Sequence, residues 1–170
     1  VPFLKNILFS FESLADQKKQ QLVFQNDLDN LLIVADPGKL ERVFYNLLSN
    51  AIKFTPEHGQ IRLHLQMVAH RVHVGIIDSG IGIPEDQLPY VFDRFFQAEN
   101  SAGNPNPGTG IGLALVQELV ELHKGTISVR SQEGQGTEFW LELPMTSGID
   151  LISSDYQLQL EPLDRLSNED

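Results

Sequence analysis

Three groups of residues in this sequence have the types and spacing to do chemistry together. Asp78 follows the apolar run Val74–Ile77 and precedes Ser79-Gly80-Ile81-Gly82-Ile83-Pro84. A carboxylate at the end of a strand can accept a hydrogen bond from an exocyclic amine, such as the N6 amino group of adenine, and the glycines let backbone approach a ring closely. Read alone, Asp-Ser-Gly is equally good turn chemistry. Gly108-Thr109-Gly110-Ile111-Gly112-Leu113 lies where a loop passes into a helix. Free N–H groups of a first helical turn and the helix dipole favour anions, so this is a phosphate cradle in principle and a hinge otherwise. It lacks the Gly-Lys-Ser/Thr of a P-loop, and its helix does not follow a parallel strand as a dinucleotide fold requires. Asn46, Asn50 and Lys53 recur at i, i+4 and i+7, one face of a helix. Buried amides need partners, and a magnesium ion with phosphate oxygens would supply them; on a plain amphipathic helix they would face solvent. A carboxylate for a base, an amide for a metal ion and glycine backbone for phosphates make up the inventory of an ATP site.

The elements that must position these groups follow from periodicity. Phe3, Leu4, Ile7, Leu8, Phe11 and Leu14 predict one amphipathic helix over 3–18. Leu22–Gln25 and Leu31–Ala35 read as short strands. Asp36-Pro37 opens a helix, with Asp as N-cap and Pro at the first position. Its apolar stripe is Leu40, Val43, Phe44, Leu47, Leu48, Ala51 and Ile52, and Thr55-Pro56 and Gly59 end it. Ile61–Val68 and Val72–Ile77 alternate as strands about the turn Ala69-His70-Arg71. Leu88–Phe96 reads as a short helix, Gln97–Pro107 as a mobile polar loop, and Gly110–His123 as a helix stopped by Lys124-Gly125. Thr126–Ser131 and Thr137–Leu143 form a hairpin through Glu133-Gly134-Gln135-Gly136. The expected fold is α/β, a two-layer sandwich in which helices cover one face of a mixed, mainly antiparallel sheet. Residues 21–145 form its core domain, from about Leu22 to Pro144, and 1–20 form a lead-in helix, either the end of a preceding helical domain or a linker. The acidic stretch 146–170 reads as a linker, with docking of Tyr156–Leu160 as an edge strand the alternative.

Composition narrows the function. The 170 residues carry a net charge of −11, which argues against a nucleic-acid surface. There are no cysteines, so disulfides, thiol nucleophiles and Cys-based zinc are excluded. No apolar run approaches ~18 residues, so no membrane contact by this stretch is expected. The chain begins Val-Pro without a signal-peptide pattern and reads as a fragment of a larger protein.

Four motifs occur in one order: Asn46-Leu-Leu-Ser-Asn50-Ala-Ile-Lys53-Phe54, Asp78-Ser-Gly80-Ile-Gly82-Ile-Pro84, Phe92-Asp-Arg94-Phe95-Phe96 and Gly108-Thr109-Gly110-Ile-Gly112-Leu113. They resemble the N, G1, F and G2 boxes of the catalytic and ATP-binding domain of sensor histidine kinases. Gly134-Gln-Gly136-Thr137-Glu-Phe139 is similar to the closing G3 element. The resemblance covers roughly Phe11 to Pro144 and implies the Bergerat sandwich, shared with type II topoisomerase ATPase subunits and the large heat-shock chaperones. It implies Mg²⁺ on Asn50, phosphate contacts from Asn46 and Lys53, and Phe54 packing on adenine. Asp78 would read the adenine amine, Gly80, Gly82 and Ile83 would line the base, and Thr137 would lie beside that aspartate. Gly108, Thr109, Gly110, Ile111, Gly112 and Leu113 would wrap the phosphates. Arg94 and the segment to Pro107 would form a lid. Many members carry Arg or Lys after the aromatic pair; Gln97 stands there, leaving Arg94 as the nearest lid cation.

In the related hydrolases a Glu one turn before the Mg²⁺-binding Asn activates water. Asn46 occupies that place, and a neutral amide cannot be a general base. The resemblance therefore implies a kinase in two-component signal transduction, which binds Mg-ATP and passes its γ-phosphate to a histidine on a separate helical dimerisation domain. The acceptor motif, His followed by Asp or Glu on a long helix, is missing: His58, His64, His70, His73 and His123 do not fit it, and each reads as a surface residue. Expected partners are the dimerisation and phosphotransfer domain and a response regulator receiver domain, which in a hybrid kinase would follow the acidic tail. The fragment is expected to be monomeric and cytoplasmic, whether or not its parent is membrane-anchored. A degenerate nucleotide-binding scaffold and a serine kinase of the anti-sigma type are the alternatives. The second usually keeps a carboxylate where Asn46 stands.

Overall fold

The computed structural model describes residues 1–28, 33, 35–97 and 109–145. Residues 3–18, expected as one helix, form two: α1, Pro2–Ser10, and α2, Glu12–Gln17. The Ser10 hydroxyl donates to the Ile7 carbonyl at 2.6 Å, and the Phe11 N–H turns back to Leu8 rather than to Ile7. Such local side-chain bonding competes with the helical ladder and bends it. The apolar face survives the break: Leu4, Ile7, Leu8, Phe11 and Ala15 are all buried. They join the same cluster as the sheet and the later helices, so the core reaches further back than Leu22.

Strand β1 is Gln21–Asn26, followed by helix α3, Pro37–Phe54. Asp36 caps α3 as its sequence predicts, accepting from the Lys39 amide at 3.0 Å. The Lys39 side chain and amide hold the Asp36 carboxyl below its ordinary value. Of the expected strand Leu31–Ala35, Ile33 and Ala35 are not in a strand, and 31, 32 and 34 lie outside the described residues. Strands β2, Gln60–Val68, and β3, Arg71–Asp78, form a hairpin whose two turn residues, Ala69 and His70, have φ of +49° and +63°. Positive φ at both positions matches the strands' right-handed twist. Helix α4, Gly112–Leu122, precedes the hairpin of β4, Thr126–Gln132, and β5, Gly136–Pro144.

The sheet order is β1-β2-β3-β5-β4; β1 and β2 run parallel and every other pair antiparallel. Ile61, Leu63 and Leu65 of β2, Val72, Val74 and Ile76 of β3, and Phe139, Leu141 and Leu143 of β5 bury one face against α1, α3 and α4. This is the mixed two-layer sandwich expected from the patterning.

Three details position the site. Lys18 donates to the carbonyls of Ile52, Lys53 and Thr55 at 2.7, 3.1 and 3.2 Å, and Gln20 donates to Ile52 and Thr55, so the chain before β1 caps the C-terminus of α3. The stop after α4 uses Lys124 in the left-handed region (φ +55°), with Gly125 N–H returning to Val120. Gly125 is needed there for space: a Cβ would stand 2.6 Å from the Glu142 carbonyl. The expected helix Leu88–Phe96 shrinks to one 3₁₀ turn, Leu88–Tyr90. Phe95 instead takes φ +66° and donates its N–H to the Gly110 carbonyl at 2.8 Å, a long-range bond replacing a helical one.

His123 is no surface passenger. Its Nε2 accepts from the Asp36 N–H at 3.1 Å while Nδ1 meets the Leu119 carbonyl at 2.7 Å, tying the end of α4 to the start of α3. His64 is likewise largely covered and bonded to Asp27, His73 is half-buried, and His58 and His70 are exposed. Among the described residues, no helix is long and apolar enough to cross a membrane. The expected loop from 98 to 107, Gly108, and the tail with its Tyr156–Leu160 segment lie outside the described residues.

Candidate functional site

A cavity of ≈270 Å³ opens between α3, the loop after β3, the 91–97 turn, the start of α4 and the start of β5. Helix α3 gives it Asn46, Asn50, Lys53 and Phe54, with Ala51 between them. Leu47, Leu48 and Ile52 on the opposite stripe are buried in the core, and this fixes the rotation of the helix. The Asn46 Nδ2 donates to the Arg42 carbonyl at 2.8 Å. Among the described residues no hydrogen bond holds the Asn50 side chain. The Lys53 ammonium lies 5.0 Å from the Phe54 ring centroid.

Asp78 forms the floor. It is 8% exposed, and its Oδ1 accepts from the Gly80 N–H at 2.8 Å and the Thr137 N–H at 3.3 Å. Burial pushes its pKa up to about 6, with the two amides acting against that rise. Gly80 does not line the cavity; it is buried behind Asp78, where a Cβ would stand 2.8 Å from the Phe54 carbonyl. Gly82 and Ile83 do line it. Gly82 has φ +72°, and a Cβ there would stand 2.0 Å from the Gln132 carbonyl. Around the loop, Ile81 N–H donates to Phe54, Gly134 N–H donates to the Ile81 carbonyl, and Ile83 N–H donates to the Ser131 hydroxyl at 2.8 Å.

Thr137 also lines the cavity. Its Oγ1 is 3.0 Å from Ser131 Oγ, which donates to the Gly136 carbonyl at 2.7 Å. Thr109, Gly110, Gly112 and Leu113 bring the opening of α4 to the cavity, while Ile111 is exposed and outside the lining. Among the described residues no side chain caps the first turn of α4, and no acidic residue stands in that turn. Its N–H groups suit an anion. A Cβ on Gly112 would stand 2.8 Å from Asn46 Oδ1, so that glycine lets α4 approach α3.

Arg94 is not brought to the cavity. Its guanidinium pairs with Glu118 on the exposed side of α4, and that hydrogen bond raises its pKa further. Ala51, Ile81, Val91 and Phe139, given no site role from sequence, also line the cavity, as do Phe96 and Gln97 of the expected lid segment. Phe92 packs edge-on to Phe139 at 6.2 Å and so carries Val91 to the wall. The aromatic spacing of 92–96 was the available signal for this wall.

The described residues hold no cluster of three or more His, Asp or Glu side chains able to bind a metal by themselves. One amide oxygen from Asn50 fits a magnesium ion that takes its other ligands from phosphates and water.

Residues 35–147 match the family model described as histidine kinase-, DNA gyrase B-, and HSP90-like ATPase. The chain belongs to this ATPase family. Histidine kinase P4 of Formosa agariphila is 39% identical over 96% of this chain, which spans only 13% of that protein's length. The catalytic domain of histidine kinase ThkA, in a nucleotide-free form, superposes with a TM-score of 0.75 at 28% identity, covering 86% of this chain and 94% of that one. Full-length ShkA in complex with AMPPNP gives 0.74 at 30% identity, covering 84% of this chain and 29% of that one. The fold of these catalytic domains is thus the fold seen here, and its cavity is the candidate ATP site.

Proposed function

We propose that this domain binds Mg-ATP and presents the γ-phosphate to a histidine on a separate helical domain, the kinase step of two-component signalling. The observation that carries the reading is the buried Asp78 carboxylate at the floor of a cavity that is also lined by the start of α4, where no described side chain caps the helix. Asp78, ionised above pH 6, accepts the adenine amine. Phe54 and Ile83 flank the base. Lys53 and the N–H groups of Gly112 and Leu113 hold phosphates, and the glycines before them keep side chains clear. A magnesium ion held through Asn50 would neutralise phosphate charge.

Asn46 decides the reaction class. It stands one helical turn before Asn50 and uses its amide N–H on the Arg42 carbonyl. A neutral amide so engaged cannot deprotonate water, so hydrolysis is slow and the phosphate waits for an external nucleophile. The partners are then the histidine-bearing dimerisation domain and, downstream, a response regulator receiver domain. Residues 1–20 join the catalytic domain to the former, on the cytoplasmic side where ATP is. The relatives named as histidine kinases support this reading. The ShkA complex with AMPPNP supports the nucleotide class.

Calorimetric titration with a non-hydrolysable ATP analogue, with and without Mg²⁺, tests the site. Binding in the micromolar range that is lost in Asp78→Asn is expected. Equal binding in both proteins, or none in either, would leave a degenerate scaffold. Phosphorylation of an added histidine-bearing helical domain then tests the transfer, and no transfer despite tight binding would refute it.

A further inference from the structure

The Ser131 hydroxyl has one proton and three polar neighbours. Ile83 N–H at 2.8 Å is a donor, the Gly136 carbonyl at 2.7 Å is an acceptor, and Thr137 Oγ1 stands at 3.0 Å. A carbonyl cannot donate, so Ser131 gives its proton to Gly136 and accepts from Ile83. The Thr137 hydroxyl must then donate to Ser131, which leaves both of its lone pairs without a donor among the described residues. The Thr137 amide is spent as well, on Asp78 Oδ1. Thr137, which lines the cavity and is 6% exposed, therefore offers it acceptors and no donor. Beside it stands the Asp78 carboxylate, also an acceptor.

We propose that Ser131 is a specificity-determining positioning residue: by holding the Thr137 proton it makes the floor of the cavity an all-acceptor surface that accepts a 6-amino purine and rejects a 6-oxo purine. The inference rests on the ATP reading above. Ser131 does not touch the base. It acts through Thr137, its cross-strand register partner on β5, and Thr137 is in turn the register partner of Asp78 on β3. Without the Ser131 hydroxyl, the Thr137 O–H can swing toward the cavity and donate to a 6-oxo group. A hydroxyl that merely tied the β4–β5 hairpin to the loop at Ile83 would affect all ligands alike.

The test compares ADP with inosine diphosphate, which carries a 6-oxo group and an N1–H where ADP has a 6-amino group and an unprotonated N1, by calorimetry with Mg²⁺ on the 170-residue chain. Wild type is expected to prefer ADP by on the order of 10², since an unmatched buried polar group is costly. In Ser131→Ala the preference falls about tenfold while Ser131→Thr, which keeps a hydroxyl, retains it. Equal weakening of both nucleotides, with the ratio unchanged, overturns the proposal and leaves the ATP reading intact. Thr137→Val removes the acceptor with Ser131 in place and lowers the ratio by a similar factor; an unchanged ratio there overturns the proposal even where Ser131→Ala does not fold. Wild type binding neither nucleotide overturns the proposal and the ATP reading together.

Discussion

Asp78 and Thr137 face each other across β3 and β5, and the Thr137 amide donates to the Asp78 carboxylate at 3.3 Å. The strand pairing therefore fixes this carboxylate in place before any ligand arrives. The same amide and that of Gly80 oppose, without cancelling, the cost of burying the charge.

This gives opposite pH dependences for stability and for binding. The folded pKa of Asp78, about 6, lies above the ordinary 3.8. Its contribution to stability is complete below the unfolded value and is lost as pH rises through about 6. Nucleotide affinity runs the other way, falling as pH drops through the same value. Asp78→Asn should flatten both profiles, cut affinity by roughly 100-fold and raise unliganded stability at pH 8 by about 1 kcal/mol. Calorimetry and thermal unfolding from pH 5 to 8 read both.

Gly82→Ala should damage fold and site together. The φ of +72° and the 2.0 Å approach to the Gln132 carbonyl leave no room for a Cβ. A loss of about 2–3 kcal/mol is expected in chemical denaturation, with nucleotide binding abolished. Gly134→Ala, with nothing near its Cβ position, should cost only its backbone strain, about 1 kcal/mol.

Lys18→Met removes three hydrogen bonds to the end of α3 from a part-buried ammonium. A loss of about 1–3 kcal/mol is expected. Because that turn carries Lys53 and Phe54, nucleotide affinity should fall as well. Melting temperature and titration of the same samples check this, and affinity unchanged beside a lowered melting temperature would separate the cap from the site.

Lys53→Ala and Arg94→Ala should behave differently. Lys53 lines the cavity, and losing its charge should weaken ATP analogues about tenfold. Arg94 pairs with Glu118 outside the cavity, so its removal should change affinity by no more than about twofold. A large loss from Arg94→Ala would show that the bound state rebuilds this turn.

The sequence by itself determined most of the sandwich and named many residues of the candidate site. Helix α3 was legible because Asp36-Pro37 and a seven-residue apolar stripe are local signals. The β2–β3 and β4–β5 hairpins were legible from alternation and their turn residues. Asn46, Asn50, Lys53 and Asp78 stood out because side-chain chemistry is carried by residue type, and Thr137 came only through the family resemblance. Contacts that periodicity does not record, most of them long-range, decided the rest. Phe95 leaves the helical conformation to bond Gly110, and Ser10 splits the first helix where periodicity runs on unbroken. Arg94 is drawn to Glu118, 24 positions away in sequence. Ser131 showed nothing in sequence, since a lone serine on an edge strand has no pattern; its proposed role rests on β4, β5 and the Ile83 loop converging on one hydroxyl. Periodicity records which face an element buries. Which atoms then meet across faces depends on the packing of segments far apart in the chain.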